Sequence, residues 1–210
     1  MLKRLLVVGS TGKIGHSVLQ NINRNIYEVF GIHSMHSLLH AIETLYPDLI
    51  IDVTSAKCIH SHLEIYEKFQ IPLLIGTSGT SPQESQRILS MPFPVLMVVN
   101  FAFKLTYFCQ SMPLDKITHI YETHANSKFD KPSATALFLR AHYQSTAPIS
   151  SVRIAQKVAH HTLCFAQHQP MSISITSYDD YIAGVSWALQ HLQSISDPHI
   201  FLSPHIMFNH

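Results

Sequence analysis

Short apolar segments alternate with amphipathic segments through the first hundred residues, and this alternation restricts the folds open to the chain. Five apolar runs lie at 5–8, 27–32, 49–53, 72–75 and 95–99. Between them, apolar residues recur at the three- and four-residue spacing of helices. Strands separated by helices pair in parallel, and the helices cover both faces of the sheet. The pattern therefore predicts an α/β domain built on a parallel sheet.

The pattern changes after Asn100. Helices are predicted at 101–112, 133–142 and 181–192, and strands at 117–123, 152–158, 161–167 and 172–177. The last three strands have short connections, which favours an antiparallel meander. We therefore expect two domains. Residues 1–100 form an α/β domain that a C-terminal helix at about 181–210 completes, and residues 101–180 form an α+β domain with a mostly antiparallel sheet.

The composition argues against several classes of protein. Only 13% of the residues are charged, and the net charge is +1. So few charges disfavour a disordered chain or a coiled coil, and their balance disfavours nucleic acid or an acidic membrane surface as a partner. No run approaches the roughly 20 apolar residues of a membrane span. The first apolar run ends at Gly9, which is too early for a signal peptide.

Cysteine and histidine show no metal-binding pattern. The three cysteines, Cys58, Cys109 and Cys164, are widely separated, which fits neither a disulfide framework nor a zinc knuckle and favours a reducing cytoplasm. The 16 histidines include groups at 33–40 and 60–62 without carboxylates or cysteines at ligand spacing. We interpret these groups as surface histidines and expect no metal site.

A glycine-rich turn follows the first strand. Residues 9–15 read Gly-Ser-Thr-Gly-Lys-Ile-Gly and open the first helix. In a dinucleotide-binding fold, such a turn brings the backbone close to a pyrophosphate, which the N–H groups and dipole of the helix N-terminus stabilise. A tight turn without a ligand is the alternative, but a strand before it and a helix after it favour the dinucleotide site.

Two further features belong to the same carboxyl edge of the sheet. The second strand ends without the acidic residue that binds a ribose 2′-hydroxyl, so Lys13 or His33 could approach a 2′-phosphate. This favours NADPH, or no preference, over strict use of NADH. The fourth strand leads into residues 76–79, Gly-Thr-Ser-Gly, which suit a flat nicotinamide ring. An ordinary strand–helix turn explains that loop equally well.

The most informative segment of the second half carries a histidine, a lysine and a helix start. His124 ends a strand, and Lys128 lies in the following loop. Pro132 fits the first turn of a helix, where the N–H groups of Ala134 and Thr135 would be unpaired. A cation beside a helix N-terminus suits a carboxylate, and an imidazole carries a proton near neutral pH. The segment therefore predicts a site for a small carboxylate that accepts a hydride and a proton. A solvated loop before a capped helix is the alternative.

Residues 122–137 read E-x-H-x-x-x-K-x-D-x-P-S-x-T-A-L, which resembles the signature of the dihydrodipicolinate reductase family. Other matching parts follow in the family's order: the turn at 9–15, Ile51-Asp52-Val53-Thr54, the loop at 76–79, Asn100-Phe101, Val152-Arg153 and His161-Thr162. The resemblance covers residues 5–184. It implies a Rossmann-type domain, a substrate-binding and tetramerisation domain, NADPH or NADH as cofactor, a small dicarboxylate substrate, and a role in lysine and diaminopimelate biosynthesis.

The resemblance also implies roles for individual residues. His124 matches the family's acid/base histidine, and Lys128 matches its proton-donating, carboxylate-binding lysine. Substrate contacts are implied at Ala125, Ser133, Ala134 and Thr135. Cofactor contacts are implied at Gly9, Ser10, Thr11, Gly12, Lys13, Ile14, Gly76, Thr77, Ser78, Val98, Val99, Asn100 and Phe101. The implied reaction is hydride transfer to C4 of a conjugated cyclic imine dicarboxylate, completed by a proton from His124 or Lys128.

The chain departs from the family pattern at several positions. Ala125 stands where the family has a second histidine, and Ala134 stands where it has glycine. Residues 102–105 read Ala-Phe-Lys-Leu in place of a Ser-x-Gly-Val run. These departures leave two alternatives. One is a catalytically weakened or inactive relative that binds nucleotide as a sensor or assembly partner, and the other is a reductase of another small carboxylate.

Overall fold

A computed structural model of the chain describes residues 1–33, 37–77, 79–111, 116–156, 158–175, 179–203 and 206–207. The chain folds as two compact units. Met1–Phe101 and Tyr178–Asn209 form the first unit, and Ala102–Ser177 forms nearly all of the second.

The helices and strands alternate through most of the chain. In chain order they are β1 (Lys3–Val8), α1 (Lys13–Asn21), β2 (Tyr27–Ile32), α2 (Leu38–Leu45), β3 (Leu49–Asp52), α3 (Ala56–Phe69), β4 (Leu73–Ile75), α4 (Pro82–Leu89), β5 (Val95–Val98), α5 (Phe103–Ser111), β6 (Ile117–Ala125), α6 (Ala134–His142), β7 (Ile149–Ile154), β8 (Ala159–Phe165), β9 (Met171–Ile175), α7 (Asp179–Leu192), β10 (His199–Ser203) and β11 (Ile206–Met207).

The first unit contains a seven-stranded sheet in which every strand except one edge strand is parallel. The strand order is β11-β10-β5-β4-β3-β1-β2, and β11 runs antiparallel to β10. The register aligns Val8 with Asp52 and Asp52 with Ile75, so these strand ends lie side by side. The arrangement confirms the predicted Rossmann-type α/β sheet.

The sixth parallel strand, β10, lies where we expected a continuing helix. Helix α7 ends at Leu192, and β10 pairs with β5, with Ile200 opposite Met97. The apolar run of β10 is short, and it becomes a strand because it pairs with a segment far earlier in the chain. Helix α7 confirms the helix predicted at 181–192, but the extension of that helix to about residue 210 is wrong, because β10 is a strand.

Alternate residues of the central strands pack against helices on opposite faces of this sheet. Leu6 and Val8 belong to a buried cluster with residues of α2, α3 and α4, whereas Leu5 and Val7 pack with residues of α1 and α7. All four are buried, and burial of each such side chain contributes about 1.5–3 kcal/mol. The packed sheet is a rigid support for the loops at its carboxyl edge.

The second unit contains a four-stranded sheet of order β7-β6-β8-β9. Two of its three pairings are antiparallel, as expected, and β6 with β7 is parallel. The predicted meander is correct for β8 and β9, which pair antiparallel, but it is wrong for β7 and β8, because β6 lies between them. Helix α6 connects β6 to β7, and a strand–helix–strand connection allows two strands to pair in parallel. Strand β7 therefore pairs with β6, and it does not form the expected hairpin with β8.

The helices of both units are of modest length. The longest of those described are α3 and α7, with 14 residues each. Within the described ranges, no helix combines the length and the apolar character that a membrane crossing requires.

Candidate active site

The glycine-rich turn of the first unit is shaped by two close approaches of the backbone. Gly9 has a φ of +89°, and a Cβ atom there would lie 2.9 Å from the Val53 carbonyl oxygen. A Cβ atom at Gly15, in the first turn of α1, would lie 2.2 Å from the Gly9 carbonyl oxygen. Glycine is therefore required at both positions, and it lets α1 begin directly behind the end of β1.

Helix α1 presents its N-terminus at this turn. Gly12 is the N-cap, and in this described segment no side chain caps the helix and no acidic residue lies in its first turn. The N–H groups of Gly9 and Ser10 donate to the Ile32 carbonyl oxygen at 2.9 and 3.0 Å, which fixes the turn to the end of β2. A helix N-terminus without an acidic cap attracts anions. The turn therefore fits a dinucleotide pyrophosphate.

A buried carboxylate, Asp52, connects the loops at this edge of the sheet. The Tyr66 hydroxyl and His62 Nδ1 donate to its Oδ2 at 2.8 and 2.7 Å. The N–H and hydroxyl of Thr54 donate to Oδ1 at 3.0 and 2.6 Å, and the Thr77 hydroxyl donates to Oδ1 at 3.3 Å. Burial acts to raise the pKa of Asp52, but the hydrogen bond and charge of His62, with the bonds from Thr54, lower it. Asp52 is thus an ionised anchor for the predicted cofactor loop.

His62 corrects the interpretation of the histidines as surface residues. His40 and His60 are exposed as expected, but His62 is buried against Asp52. Burial and the charge of Asp52 also raise the pKa of Tyr66 well above its ordinary value. His36 lies outside the described residues.

Phe101 lies beneath the loop that follows β4. A Cβ atom at Gly76 would lie 2.4 Å from the Phe101 ring, so the ring can pack there only because residue 76 is glycine. Val98 and Phe101 are buried, and the Val99 N–H donates to the Phe201 carbonyl oxygen at 2.9 Å. The buried residues at the end of β5 and after it therefore lie in the core of the first unit, where the Phe101 ring packs against the loop at Gly76.

The second unit places two histidines around one buried carboxylate. Glu122 and His124 lie on the same face of β6, and the register puts His161 of β8 opposite Glu122. The Nε2 atoms of the two histidines are 3.3 Å apart. They lie 3.4 Å (His124) and 3.6 Å (His161) from Glu122 Oε2. All three side chains are buried.

Ser133 and Arg153 complete the surroundings of Glu122. The Ser133 N–H lies 3.0 and 3.1 Å from the two carboxylate oxygens, and its hydroxyl contacts Oε2. The Arg153 guanidinium donates to Oε1 at 3.3 and 3.4 Å. Burial acts to raise the pKa of Glu122, but hydrogen bonds from His124, His161 and Ser133 hold it far below its usual range. Glu122 is therefore ionised and paired with Arg153.

His161 is almost completely buried, with only 1% of its side chain exposed. Burial lowers its pKa, and the hydrogen bond that it donates to Glu122 acts in the opposite direction. Its Nδ1 atom is buried and has no hydrogen-bond partner among the residues that the structure describes. The imidazole is therefore neutral near neutral pH, with Nε2 as the atom that makes its contacts.

In the loop after β6, Lys128 and the start of α6 both contact the carboxylate of Asp130. Lys128 Nζ lies 3.0 Å from Asp130 Oδ1, and the Ala134 N–H donates to Asp130 Oδ2 at 3.3 Å. Arg153 Nε donates to the Lys128 carbonyl oxygen at 3.0 Å, which holds the loop in place. The expectation of an unpaired N–H at Ala134 is therefore wrong, because Asp130 accepts its hydrogen bond.

The start of α6 also differs from the expectation. Ser133 is the N-cap, and its hydroxyl oxygen accepts a hydrogen bond from the Ala136 N–H at 3.2 Å. Pro132 precedes this cap and does not occupy the first helical turn. Thr135 lies in that first turn and is buried, and Ala125 ends β6 with its carbonyl oxygen accepting from the Lys128 N–H at 3.0 Å.

Two family models together match nearly the whole chain. The model of the dihydrodipicolinate reductase N-terminus matches residues 3–101, and that of the dihydrodipicolinate reductase C-terminus matches residues 95–201. The chain belongs to the dihydrodipicolinate reductase family. This is a family of NAD(P)H-dependent oxidoreductases of lysine and diaminopimelate biosynthesis.

Individual relatives are similar at low identity. The 4-hydroxy-tetrahydrodipicolinate reductase of Thermosipho africanus (strain TCF52B) is 25% identical over 171 residues, which cover 78% of this chain and 77% of the relative. The enzyme of the same name from Listeria monocytogenes serotype 4b (strain CLIP80459) is 23% identical over 251 residues, covering 91% and 95%. A dipicolinate-bound dihydrodipicolinate reductase from Paenisporosarcina sp. TG-14 shares the fold, with a TM-score of 0.68 and 20% identity over 95% of this chain and 98% of that one.

The residues that the family resemblance assigned to the cofactor all belong to the first unit. Ser10 is buried, Thr11, Gly12 and Lys13 are exposed at the turn, and Ile14 packs against the core. Thr77 and Asn100 are buried, and Ser78 lies outside the described residues. His33, considered for a 2′-phosphate, is exposed at the end of β2.

The residues assigned to the substrate belong to the second unit. Their partners Glu122, Arg153 and Asp130 were given no role from the sequence, although all three lie in segments that resemble the reductase family. The signal for Glu122 was present, because residues two apart on a strand share a face, which places Glu122 beside His124. No comparable signal relates His161 to His124, since the two are brought together only by pairing of β6 with β8.

Proposed function

We propose that the protein reduces a dihydrodipicolinate-type cyclic imine dicarboxylate with NADPH or NADH in lysine and diaminopimelate biosynthesis. One observation carries the proposal within this family. Lys128 Nζ and the Ala134 N–H at the start of α6 both contact a carboxylate, that of Asp130. Because these two donors already bind the carboxylate of Asp130, they are suited to bind a carboxylate of the substrate through charge-assisted hydrogen bonds.

The first unit would hold the dinucleotide. The turn at 9–15 allows a pyrophosphate to approach the backbone because side-chain atoms are missing at Gly9 and Gly12, and α1 directs its N-terminus there. The loop at Gly76 and Thr77 would contact the nicotinamide end, with Asp52 fixing the Thr77 hydroxyl. When bound, the reduced nicotinamide supplies the hydride. No carboxylate lies at the described end of β2, which supports acceptance of either NADPH or NADH.

The second unit would hold the dicarboxylate. Lys128 and the α6 N-terminus, at Ala134 and Thr135, bind and orient one carboxylate and stabilise the negative charge that develops on the ring. His124 or Lys128 then donates the proton that completes the reduction. Ala125 and Ala134, which depart from the family pattern, would supply backbone and methyl surface in place of an imidazole and a glycine.

We further propose a cytoplasmic homo-oligomer, a tetramer by family resemblance. Alternation along β6 and β7 turns Tyr121 and Val152 away from the Glu122 side of the sheet, and they are 49% and 50% exposed. Among the described outward-facing residues of β6, β7 and β8, none is Asp, Glu, Lys or Arg. Such a face suits contact with another copy of the chain. Cys58, Cys109 and Cys164 are unpaired, which supports a reducing compartment.

The proposed reaction is tested by following the absorbance of NADPH or NADH with enzymatically generated substrate. We expect consumption of the reduced cofactor, and loss of it in a His124→Ala/Lys128→Ala double variant. Consumption no faster than in that variant would reject the proposal. Binding of NADPH without turnover would instead favour a nucleotide-binding relative that has lost catalysis.

A further inference from the structure

Three potential metal ligands converge inside the second unit. Glu122, His124 and His161 each offer one ligand atom, and these atoms all lie within 4.8 Å of one another. The individual separations are 3.3, 3.4 and 3.6 Å. A tetrahedral Zn²⁺ with bonds of roughly 2.0–2.2 Å keeps its ligand atoms roughly 3.3–3.6 Å apart. The three atoms thus already have the spacing of three corners of a zinc coordination sphere.

We propose that Glu122, His124 and His161 form a binding site for one divalent ion of the zinc type. Two imidazole nitrogens and one carboxylate oxygen are a typical zinc ligand set, and they are less suited to Mg²⁺ or Ca²⁺, which prefer oxygen. The expectation of no metal site rested on other histidines. These three ligands come from two strands and are brought together only by the pairing of β6 with β8.

Hydrogen bonds within the chain do not account for the whole arrangement. The carboxylate oxygen carries no hydrogen, and each neutral Nε2 carries at most one. The two Nε2 atoms and Oε2 form three pairwise contacts, but the two available hydrogens can form only two hydrogen bonds. One of the three contacts is therefore made without a hydrogen bond. An ion at the centre of the triangle would contact all three atoms at once.

The scaffold and the neighbouring groups fit such an ion. The ligands project from paired strands, β6 and β8, which fix their separation. Arg153 donates to Oε1, whereas Oε2 is the oxygen that faces both histidines and also accepts from Ser133. The positive charge of Arg153 weakens the attraction for a cation. The Ser133 hydroxyl donates to Glu122 Oε2 and so orients that carboxylate toward the two histidines. His124 keeps slight solvent exposure and offers the route of entry.

Metal binding at this site would oppose the proposed reductase reaction. The ion would bind Nε2 of His124, the residue proposed to donate a proton. This part of the inference rests on the proposed function. The expected consequence is a reductase that zinc inhibits and that a chelator reactivates.

The binding claim is tested with Co²⁺, which replaces Zn²⁺ and gives intense visible absorption in tetrahedral sites. The full chain is titrated without an affinity tag, and the visible absorption is recorded. Total metal uptake would be uninformative, because any of the 16 histidines could bind some metal. We expect one equivalent of Co²⁺ to produce tetrahedral bands that Zn²⁺ abolishes. Weak octahedral absorption alone, or no stoichiometric end point, would overturn the proposal.

Variants test which residues bind the ion. His161→Gln should weaken Co²⁺ binding by at least about 100-fold, the upper end of the loss seen when an outer-shell partner is removed. His160→Gln is the matched control, since His160 neighbours it on β8 but faces the other side of the sheet. If His161→Gln fails to fold by circular dichroism, His124→Gln replaces it. Equal binding by the wild type and a folded ligand variant would contradict the site.

Activity provides the second readout. One equivalent of Zn²⁺ should slow cofactor consumption by roughly 10²-fold or more, the usual contribution of a positioned proton donor, and a chelator should restore it. Tetrahedral Co²⁺ binding without any reductase activity would reject the proposed function and leave the metal site standing. Reductase activity without tetrahedral binding would reject the metal site alone.

Discussion

At the scale of single residues, Asp130 changes the interpretation of the substrate site. Its carboxylate already binds the Lys128 ammonium and accepts from the Ala134 N–H, which are the donors proposed for the substrate. The motif in the sequence predicted which donors lie near the helix start. It could not predict that an acidic residue between them would fold back, because that depends on the loop conformation held by Arg153.

Asp130→Asn should increase affinity for the dicarboxylate substrate. The Lys128–Asp130 pair is partly exposed, and such pairs contribute about 0.2–1 kcal/mol, so removing the competing charge should lower KM by a factor of about 1.4 to 5. Steady-state kinetics measure the change, with Asp197→Asn as a control for lost negative charge. A raised KM would mean that Asp130 positions Lys128 and does not compete with the substrate.

Gly15→Ala should destabilise the protein, although alanine in a helix interior is normally about 1 kcal/mol more stable than glycine. The new Cβ would lie 2.2 Å from the Gly9 carbonyl oxygen, and such overpacking costs about 1–3 kcal/mol. Thermal unfolding and the NADPH dissociation constant report the effect. His16→Ala, on the exposed side of the same helix, is the control. A Gly15→Ala protein as stable as the wild type would contradict the described packing.

At the scale of elements, the strand–turn–helix at the start of the chain was predictable, and the order of strands in the second unit was not. Leu5–Val8, the glycines and the α1 periodicity are neighbours in sequence, so local spacing is sufficient. The position of β6 between β7 and β8 depends on long-range pairing. The same holds for Asp52, whose partners His62 and Tyr66 come from α3 and whose partner Thr77 comes from the loop after β4.

Asp52→Asn should destabilise the first unit by about 3 kcal/mol at neutral pH, because it removes the charge that His62 and the buried donors require. The pKa of Asp52 is lowered in the folded state, so its contribution is complete above the ordinary value of 3.8 and is lost as the pH falls below it. Urea unfolding from neutral to acidic pH should show the difference between variant and wild type shrinking on acidification. Glu43→Gln, an exposed site, is the control. A constant difference would contradict an ionised Asp52.

At the scale of the whole molecule, the uncharged outward face of the second sheet is the feature that bears on assembly. Introducing a charge there should prevent the association that we propose. Tyr121→Lys should shift the sedimentation of the protein from a tetramer towards a monomer, because a buried unpaired ammonium is strongly unfavourable. Gln20→Lys, exposed in the first unit, should leave sedimentation unchanged. A tetramer that survives the Tyr121 substitution would assign assembly to another surface.

The central claim, reduction of a cyclic imine dicarboxylate, is tested most directly by following the hydride itself. The protein is incubated with the substrate and with NADPH or NADH carrying deuterium at both C4 positions, and the product is analysed by mass spectrometry. We predict a tetrahydrodipicolinate-type product containing one deuterium, formed by the wild type and reduced by roughly 10²–10⁴-fold in His124→Ala. Unreduced substrate, or a reduced product without deuterium, would contradict the account.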